Sequence, residues 1–201
     1  MPIVAAPKYL TDVAYTDSSP GMHFSQLFRF WNFDWSKPKE GKAQAIRELC
    51  KLPNSSIAQL KALADRAKAC RSATPVSLTL EAEAVAPFAT GLGNEHPLEN
   101  GFAFLNPYGL PYLAGSGVKG VLRQAARELA SDDWGHHTEW EDTAIEALFG
   151  KESDDSDVKH FRDVLSFWDV IPQLRGDSLS VEIMTSPENE GIKTRVHFEL
   201  S

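Results

Sequence analysis

A glycine-rich segment in the second half of the chain carries residues that could bind an anion. Gly115, Gly117 and Gly120 surround the start of a helix that apolar spacing predicts over 118–130. Glycine lets a backbone pass close to a bulky ligand, because it has no side chain. The start of a helix presents free N–H groups and the positive end of the helix dipole. The segment therefore has the geometry of a phosphate-binding site.

Two cations follow the glycines at helical spacing. Lys119 and Arg123 lie one turn apart, on one face of the predicted helix. The Gly-x4-Gly-Lys-Ser/Thr pattern of a nucleoside-triphosphate loop is absent, since Gly120 follows Lys119. The candidate phosphate-binding residues are Gly115, Ser116, Gly117, Lys119 and Arg123. The same glycine spacing also fits a turn that serves only to pack the helix.

A histidine-rich acidic cluster is the one set of residues that suggests a metal. It consists of His136, His137, Glu139, Glu141 and Asp142. A second ligand pair at metal-binding spacing is missing, so a solvated acidic loop is the better interpretation. We expect neither a metal nor another cofactor.

An aromatic run near the N-terminus could stack RNA bases or pack inside the protein. It extends from Phe28 to Trp35 and includes Arg29. Phe24, Leu27, Phe28 and Trp31 have the spacing of one helix face, which predicts a helix over 23–35. That spacing favours packing in a core or against a neighbouring subunit.

The elements that position these residues differ between the two parts of the chain. Helices are predicted over 39–52 and 56–69, the second with a capping box at Ser56 and Gln59. Residues 1–72 are therefore interpreted as a helical, basic and aromatic extension. Alternating apolar residues predict a strand over 76–84, and a long loop follows over 89–114.

The remaining elements complete an α+β pattern. A short helix over 143–149 follows the helix at 118–130, and strands are predicted over 164–171, 179–184 and 193–200. The order of strand, helix, strand and strand suggests a ferredoxin-like (RRM-like) domain over 73–201.

The charge is distributed unevenly. The chain has a net charge of −8, but residues 131–157 alone hold ten acidic residues against one lysine. This stretch is interpreted as an acidic insertion, and the remaining residues sum to +1. Residues 22–72 carry +6, so a basic face that attracts phosphates is compatible with the acidic total.

The composition also bears on the compartment. No apolar run is long enough for a membrane span, and acidic residues interrupt the N-terminus where a signal peptide would be apolar. Only Cys50 and Cys70 are present, without a CxxC pair, which is typical of reduced cysteines. We expect a cytoplasmic protein without membrane contact.

The run from Gly109 to Arg123, GLPYLAGSGVKGVLR, resembles the signature of RAMP proteins, G-x-P-Y-I-P-G-S-S-x-K-G-x-x-R. Ala114 and Gly117 replace the usual proline and second serine. RAMP proteins are RNA-binding subunits of CRISPR effector complexes. The resemblance covers about residues 76–185.

Further motifs resemble one branch, the sixth subunit of the type III-B (Cmr) complex. They are Gly91-Leu92-Gly93, Glu99-Asn100-Gly101, Leu148-Phe149-Gly150, Phe167 to Pro172 and Glu182 to Thr185. The branch continues with Pro-His where this chain has Ser186-Pro187. Only seven residues separate Met184 from Ile192, too few for the second helix of a ferredoxin-like domain. We therefore expect the C-terminal part to be shortened relative to the family, or to lack an internal segment.

The resemblance implies a noncatalytic subunit that contacts guide RNA (crRNA) near its 3′ end and caps the filament of backbone subunits. Its partners would be guide RNA, target RNA and other Cmr subunits. Two alternatives remain. One is a guide-processing endoribonuclease with His96 in acid–base catalysis, since some RAMP relatives process guide RNA. The other is a scaffold subunit that touches no RNA.

Overall fold

The computed structural model describes residues 3–4, 6–7, 9, 16–86, 88–97, 101–131, 140–151, 163–174, 176, 179–185 and 192–197. The chain divides into two compact units. Unit 1 comprises Met1–Tyr112 and Ile171–Ser201, and unit 2 comprises Leu113–Val170. The division of the chain into an extension over 1–72 and a domain over 73–201 stays a prediction.

Short strands and three helices make up the described elements of unit 1. Strand β1 (Ile3–Val4) pairs antiparallel with β2 (Arg29–Trp31), and helix α1 (Pro20–Ser25) lies between them in the sequence. Helices α2 (Lys42–Cys50) and α3 (Asn54–Ser72) follow, and the unit closes with β3 (Ser180–Thr185) and β4 (Ile192–His197). Within the described residues the strands form two two-stranded antiparallel sheets, β1–β2 and β3–β4. The ferredoxin-like sheet stays a prediction.

The core of unit 1 is largely aromatic and leucine-rich. It gathers side chains from the described helices of the unit, from β2 and from the connecting segments: Phe24, Phe28, Phe30, Ile46, Leu49, Cys50, Leu52, Leu60, Phe102, Leu110 and Leu179. Burial raises the pKa of the Cys50 thiol to about 11, whereas Cys70 is exposed. Packing in the core is thus confirmed for part of the aromatic run.

The helix predicted over 23–35 is wrong beyond its first turn. Helix α1 begins with Pro20 after the N-cap Ser19 and ends at Ser25. The chain then extends into β2, because pairing with β1 and burial of Phe28 and Phe30 outweigh the local helical spacing.

The strand predicted over 76–84 is also wrong. Its residues form no ladder, and Val76, Leu78 and Leu80 are 92%, 84% and 78% exposed. A strand needs a partner for its backbone hydrogen bonds, and no strand of the described residues supplies one here. Alternation alone therefore did not determine the structure.

The predicted helices after residue 39 are confirmed with shifted ends. Helix α2 begins after Gly41, whose φ is 97°, and α3 begins after Pro53. The capping box was wrong, because α3 already starts at Asn54 and Ser56 is buried in its first turn. The strands predicted over 179–184 and 193–200 correspond to β3 and β4 with shifted ends. Of the described helices, none is long and apolar enough to cross a membrane.

The long loop predicted over 89–114 is confirmed, and its described residues are tied together by hydrogen bonds. The Ala103 N–H donates to the Thr90 carbonyl oxygen (2.8 Å), and the Gly101 N–H donates to Asn94 (2.9 Å). Leu105 and Leu110 form an isolated antiparallel bridge. The loop is therefore a folded part of unit 1, with Leu110 completely buried.

The described residues of unit 2 form two helices. Helix α4 (Gly115–Ala130) and helix α5 (Asp142–Phe149) pack through Ala126, Ile145 and Phe149. Helix α5 ends at Gly150, whose φ is 85°. The strand predicted over 164–171 is wrong except for a bridge at Val170, because its other described residues up to Val170 pair with no strand.

Candidate nucleic-acid interface

The start of α4 is fixed by the segment around residue 169. Leu113 and Val170 exchange two backbone hydrogen bonds of 3.0 and 2.9 Å. Two residues later, the Gly115 N–H donates to Asp169 Oδ1 at 2.8 Å. The structure therefore brings into contact those parts of the two sequence motifs, 109–123 and 167–172, that lie in unit 2.

Helix α4 starts three residues earlier than predicted, which changes the roles of its glycines. Gly115 is buried against the backbone of Phe167 and Trp168. A Cβ at Gly115 would collide with the Phe167 carbonyl oxygen and lie 2.9 Å from the Trp168 carbonyl carbon. A Cβ at Gly117 or Gly120 would meet no described atom within 4 Å. Of the three glycines expected to allow a close backbone approach, Gly115 makes one, and it involves protein.

Three of the first four backbone N–H groups of α4 already have protein acceptors. The Asp169 carboxylate accepts from Gly115, while the N–H groups of Gly117 and Val118 donate to the Ala114 carbonyl oxygen at 2.9 and 3.1 Å. A carboxylate at this position satisfies a helix start in the same way as a phosphate. Backbone capture of a phosphate at Gly115 would therefore have to displace Asp169.

The side chains of α4 form a basic groove along one face of the helix. Lys119, Arg123 and Arg127 recur every four residues and line an open cavity of about 380 Å³. Its other lining residues are Ser116, Gly120 and Gln124. We call these six residues the α4 groove. Three cations at successive turns cover about 12 Å of helix, given a rise of ~1.5 Å per residue.

One acidic side chain limits the positive charge of the α4 groove. Lys119 forms an ion pair with Asp163, and both side chains are partly exposed. Gln124 donates to Glu128 Oε1 at 3.1 Å, which orients both side chains along the helix. Asp163 therefore partly neutralises Lys119 within the groove.

The opposite side of α4 anchors the helix through few residues. Ala126 is buried against Ile145 and Phe149, and the Phe149 ring stacks on Phe167 with centroids 6.0 Å apart. Val121 and Leu122, which belong to the apolar spacing that predicted the helix, are exposed. The contact with α5 nevertheless fixes which face of α4 presents the cations.

A family model places these residues in context. It describes the RAMP superfamily and matches residues 81–199, more than half of the chain. The chain belongs to the RAMP superfamily. The match includes α4 and its groove, and membership implies a CRISPR-associated, RNA-binding role in general, with RNA and protein partners. Among curated proteins nothing matched the chain, and among solved structures nothing matched either.

Three residues of this RAMP site were not predicted from the sequence. Arg127 continues the four-residue spacing of Lys119 and Arg123, so the period itself could have indicated it. Asp163 and Asp169 contact α4 from 44 and 54 residues away. No local pattern reveals such contacts.

His96, the candidate acid–base residue of the RAMP chain, lies in unit 1, outside the α4 groove. Its ring stacks on Phe24 with centroids 3.9 Å apart, and its Nε2 lies 3.1 Å from the Phe24 carbonyl oxygen. Burial lowers the pKa of His96 below its usual 6.5, opposed by the hydrogen bond to Phe24. These contacts are those of a histidine packed against the core.

The lowered pKa of His96 predicts a pH-dependent stability. The unfolded state takes up the proton more readily, so His96 contributes fully above about pH 6.5, and this contribution is lost as the pH falls toward the lowered folded value. Between pH 7.5 and pH 5, we expect the melting temperature of His96→Gln to fall less than that of the parent protein. Calorimetry of both proteins measures the difference; an identical loss would contradict the prediction. His23, whose pKa burial also lowers, adds the same trend to both proteins.

The metal interpretation concerns residues that lie mostly outside the described part of the chain. His136, His137 and Glu139 are among them, while Glu141 and Asp142 begin α5. Within the described residues, no group of three or more His, Cys, Asp or Glu side chains is arranged to hold a metal ion.

Proposed function

We propose that this RAMP protein is a noncatalytic RNA-binding subunit of a type III-B (Cmr) CRISPR effector complex, and that it acts in the cytoplasm. It contacts guide RNA near the 3′ end and caps the filament of backbone subunits, with target RNA and other Cmr subunits as partners. The branch-specific motifs, from Gly91-Leu92-Gly93 to Glu182-Ile183-Met184-Thr185, support this assignment.

The α4 groove is the observation that carries the proposal. Arg123 and Arg127, with Lys119, present three cations at successive turns of one helix in a concave surface. Guanidinium groups bind phosphate oxygens in pairs, and a row of cations follows a nucleic-acid backbone without reading bases. A guide-binding subunit must hold many different sequences, so contacts to phosphates fit its task.

The side chains of the α4 groove contribute more to the proposed site than its backbone. The Gly115 N–H is held by Asp169, whereas Ser116 is exposed at the end of the groove. Lys119 and Arg123 therefore keep their proposed role, Arg127 joins them, and Gly115 allows the close packing of the helix start.

We also propose a ferredoxin-like arrangement for residues 73–201. The family match over 81–199 and the antiparallel pair of β3 and β4 support it. This part of the proposal concerns the fold and is independent of the groove.

The proposal predicts a specific loss of salt dependence. Arg123→Ala and Arg127→Ala should each lower the slope of log affinity against log salt by about 0.7, the single-strand value per phosphate. This corresponds to roughly fourfold weaker binding at 0.15 M salt, equally for unrelated RNA sequences. Asp163→Asn should strengthen binding, because it frees Lys119. Fluorescence anisotropy with labelled single-stranded RNA at several salt concentrations measures all three effects.

Lys151→Ala is the matched control, because Lys151 is an exposed lysine of the same unit that lies outside the groove, 3.8 Å from Glu146. It should leave the slope unchanged. Equal slopes for the parent and both arginine variants would contradict the phosphate contacts. RNA binding that is absent in the parent chain would favour the scaffold alternative.

A nuclease assay separates the proposal from the catalytic alternative. The purified chain should leave guide-precursor RNA intact. Cleavage that disappears in His96→Ala, without loss of folding, would assign the chain to the processing endoribonucleases instead.

A further inference from the structure

A short turn after β2 holds two aromatic rings in solvent. We call residues 32–36 the aromatic turn. Its Phe33 is 89% exposed and its Trp35 is 57% exposed. Burial of a large aromatic ring stabilises a fold substantially, and these two rings stay largely in water. They therefore stabilise this fold less than buried rings would.

The aromatic turn is held by its own hydrogen bonds. The Asn32 N–H donates to the Ser36 carbonyl oxygen at 3.1 Å, and the Trp35 N–H donates to Asn32 at 2.9 Å. The Asp34 carboxylate accepts from the Ser36 N–H at 3.0 Å and from its hydroxyl at 2.6 Å. The rings are thus attached to an ordered backbone, which lowers the entropic cost of using them for binding.

The backbone conformation at Trp35 does not favour an aromatic residue. Its φ of 64° is a conformation that glycine or asparagine adopts readily and a bulky side chain does not. Strain of this kind concentrates at functional sites. The turn would form more easily with glycine, so the indole ring is not explained by the local fold.

Other aromatic residues of the same run are buried in the core of unit 1. Phe28 and Phe30 are buried, with centroids 5.8 Å apart, whereas Phe33 and Trp35 are not. The run therefore separates into an inner set that packs unit 1 and an outer set on the aromatic turn.

The surroundings of the aromatic turn are basic. Lys37 and Lys39 follow it and are exposed, and residues 29–42 hold four lysines and arginines against Asp34 and Glu40. Lysine is depleted at the centres of protein–protein interfaces, whereas exposed rings beside cations are characteristic of sites for single-stranded nucleic acid. The chemistry of the turn thus favours RNA over a protein partner.

We propose that Phe33 and Trp35 form a stacking platform for unpaired bases of single-stranded RNA, with Lys37 and Lys39 beside the adjacent phosphates. This second contact rests on the proposed RNA-binding function and adds base stacking to the phosphate contacts of the α4 groove. Stacking accepts any base, so the platform is compatible with guides of different sequence.

The test compares two probes of equal length, a single-stranded RNA of mixed sequence and an abasic strand with the same phosphates. Trp35→Gly removes the ring and relaxes the backbone, while Trp35→Phe keeps a ring. We expect Trp35→Gly and Phe33→Ala to weaken binding of the base-containing RNA about tenfold, the size of one stacked base. Trp35→Phe should stay close to the parent, and all three should bind the abasic strand like the parent.

Lys37→Ala and Lys39→Ala should weaken the binding of both probes equally. Each should also lower the slope of log affinity against log salt. Parent-like RNA affinity in Trp35→Gly and Phe33→Ala, together with weaker binding in Arg123→Ala, would overturn the stacking platform alone and leave the proposed function standing. Equal losses on both probes in the ring variants would also overturn it. If the parent chain binds neither probe, both proposals fail.

Discussion

Gly115→Ala is expected to lower the free energy of unfolding by about 3 kcal/mol, the upper end of overpacking costs. The new methyl group would collide with the backbone of Phe167 and Trp168, which cannot move aside like a flexible side chain. Relief would require α4 to shift away from the segment that caps it, and the hydrogen bond between Gly115 and Asp169 would be lost as well.

Gly117→Ala and Gly120→Ala are the matched controls. Both positions lie in the same helix, and an added Cβ there meets no described atom within 4 Å. Because alanine is the better helix former, each substitution should stabilise the protein by roughly 0.5–1 kcal/mol. Urea unfolding followed by circular dichroism measures the three variants. Similar effects at all three positions would contradict the close packing at Gly115.

Leu110→Ala is expected to destabilise unit 1 by about 2–5 kcal/mol, the range for a buried leucine truncated to alanine. The Leu110 side chain is fully buried, and its backbone bridges to Leu105 within the long loop. A cavity there would loosen the packing of the loop on the aromatic core.

Leu78→Ala removes the same atoms from a side chain that is 84% exposed. It should change stability by less than about 0.5 kcal/mol, as surface substitutions usually do. Thermal unfolding of both variants is the measurement. A large effect of Leu78→Ala would show that residues 76–84 bury their apolar face, as the alternating pattern predicted.

The helices were the part of the fold that the sequence predicted best. Helices α2, α3, α4 and α5 are each stabilised by bonds within one segment, so local spacing and breakers such as Pro53 and Gly150 locate them to within a few residues. Strands depend on partners elsewhere in the chain. Apolar and polar residues do alternate over 76–84. The strand predicted from this alternation does not form, because its residues pair with no described strand.

The candidate site shows the same division. The four-residue period of Lys119 and Arg123 located the groove, since both belong to a single helix. The carboxylates that complete it come from Asp163 and Asp169, whose proximity to α4 depends on tertiary packing. Of the three glycines expected to allow a close backbone approach, Gly115 is the one in α4 that packs against backbone, because helix α4 begins three residues earlier than its apolar period suggested.

The bridge between Leu113 and Val170 has a consequence for how unit 2 tolerates changes in length. Its two hydrogen bonds join the first and last residues of the unit, so the intervening chain is a closed loop. The entropy of closing a loop grows only with the logarithm of its length, and doubling the length costs about 0.6 kcal/mol. Insertions between α4 and α5, or after α5, should therefore be nearly neutral for stability, and relatives of this chain can differ in length there while α4 starts in the same way.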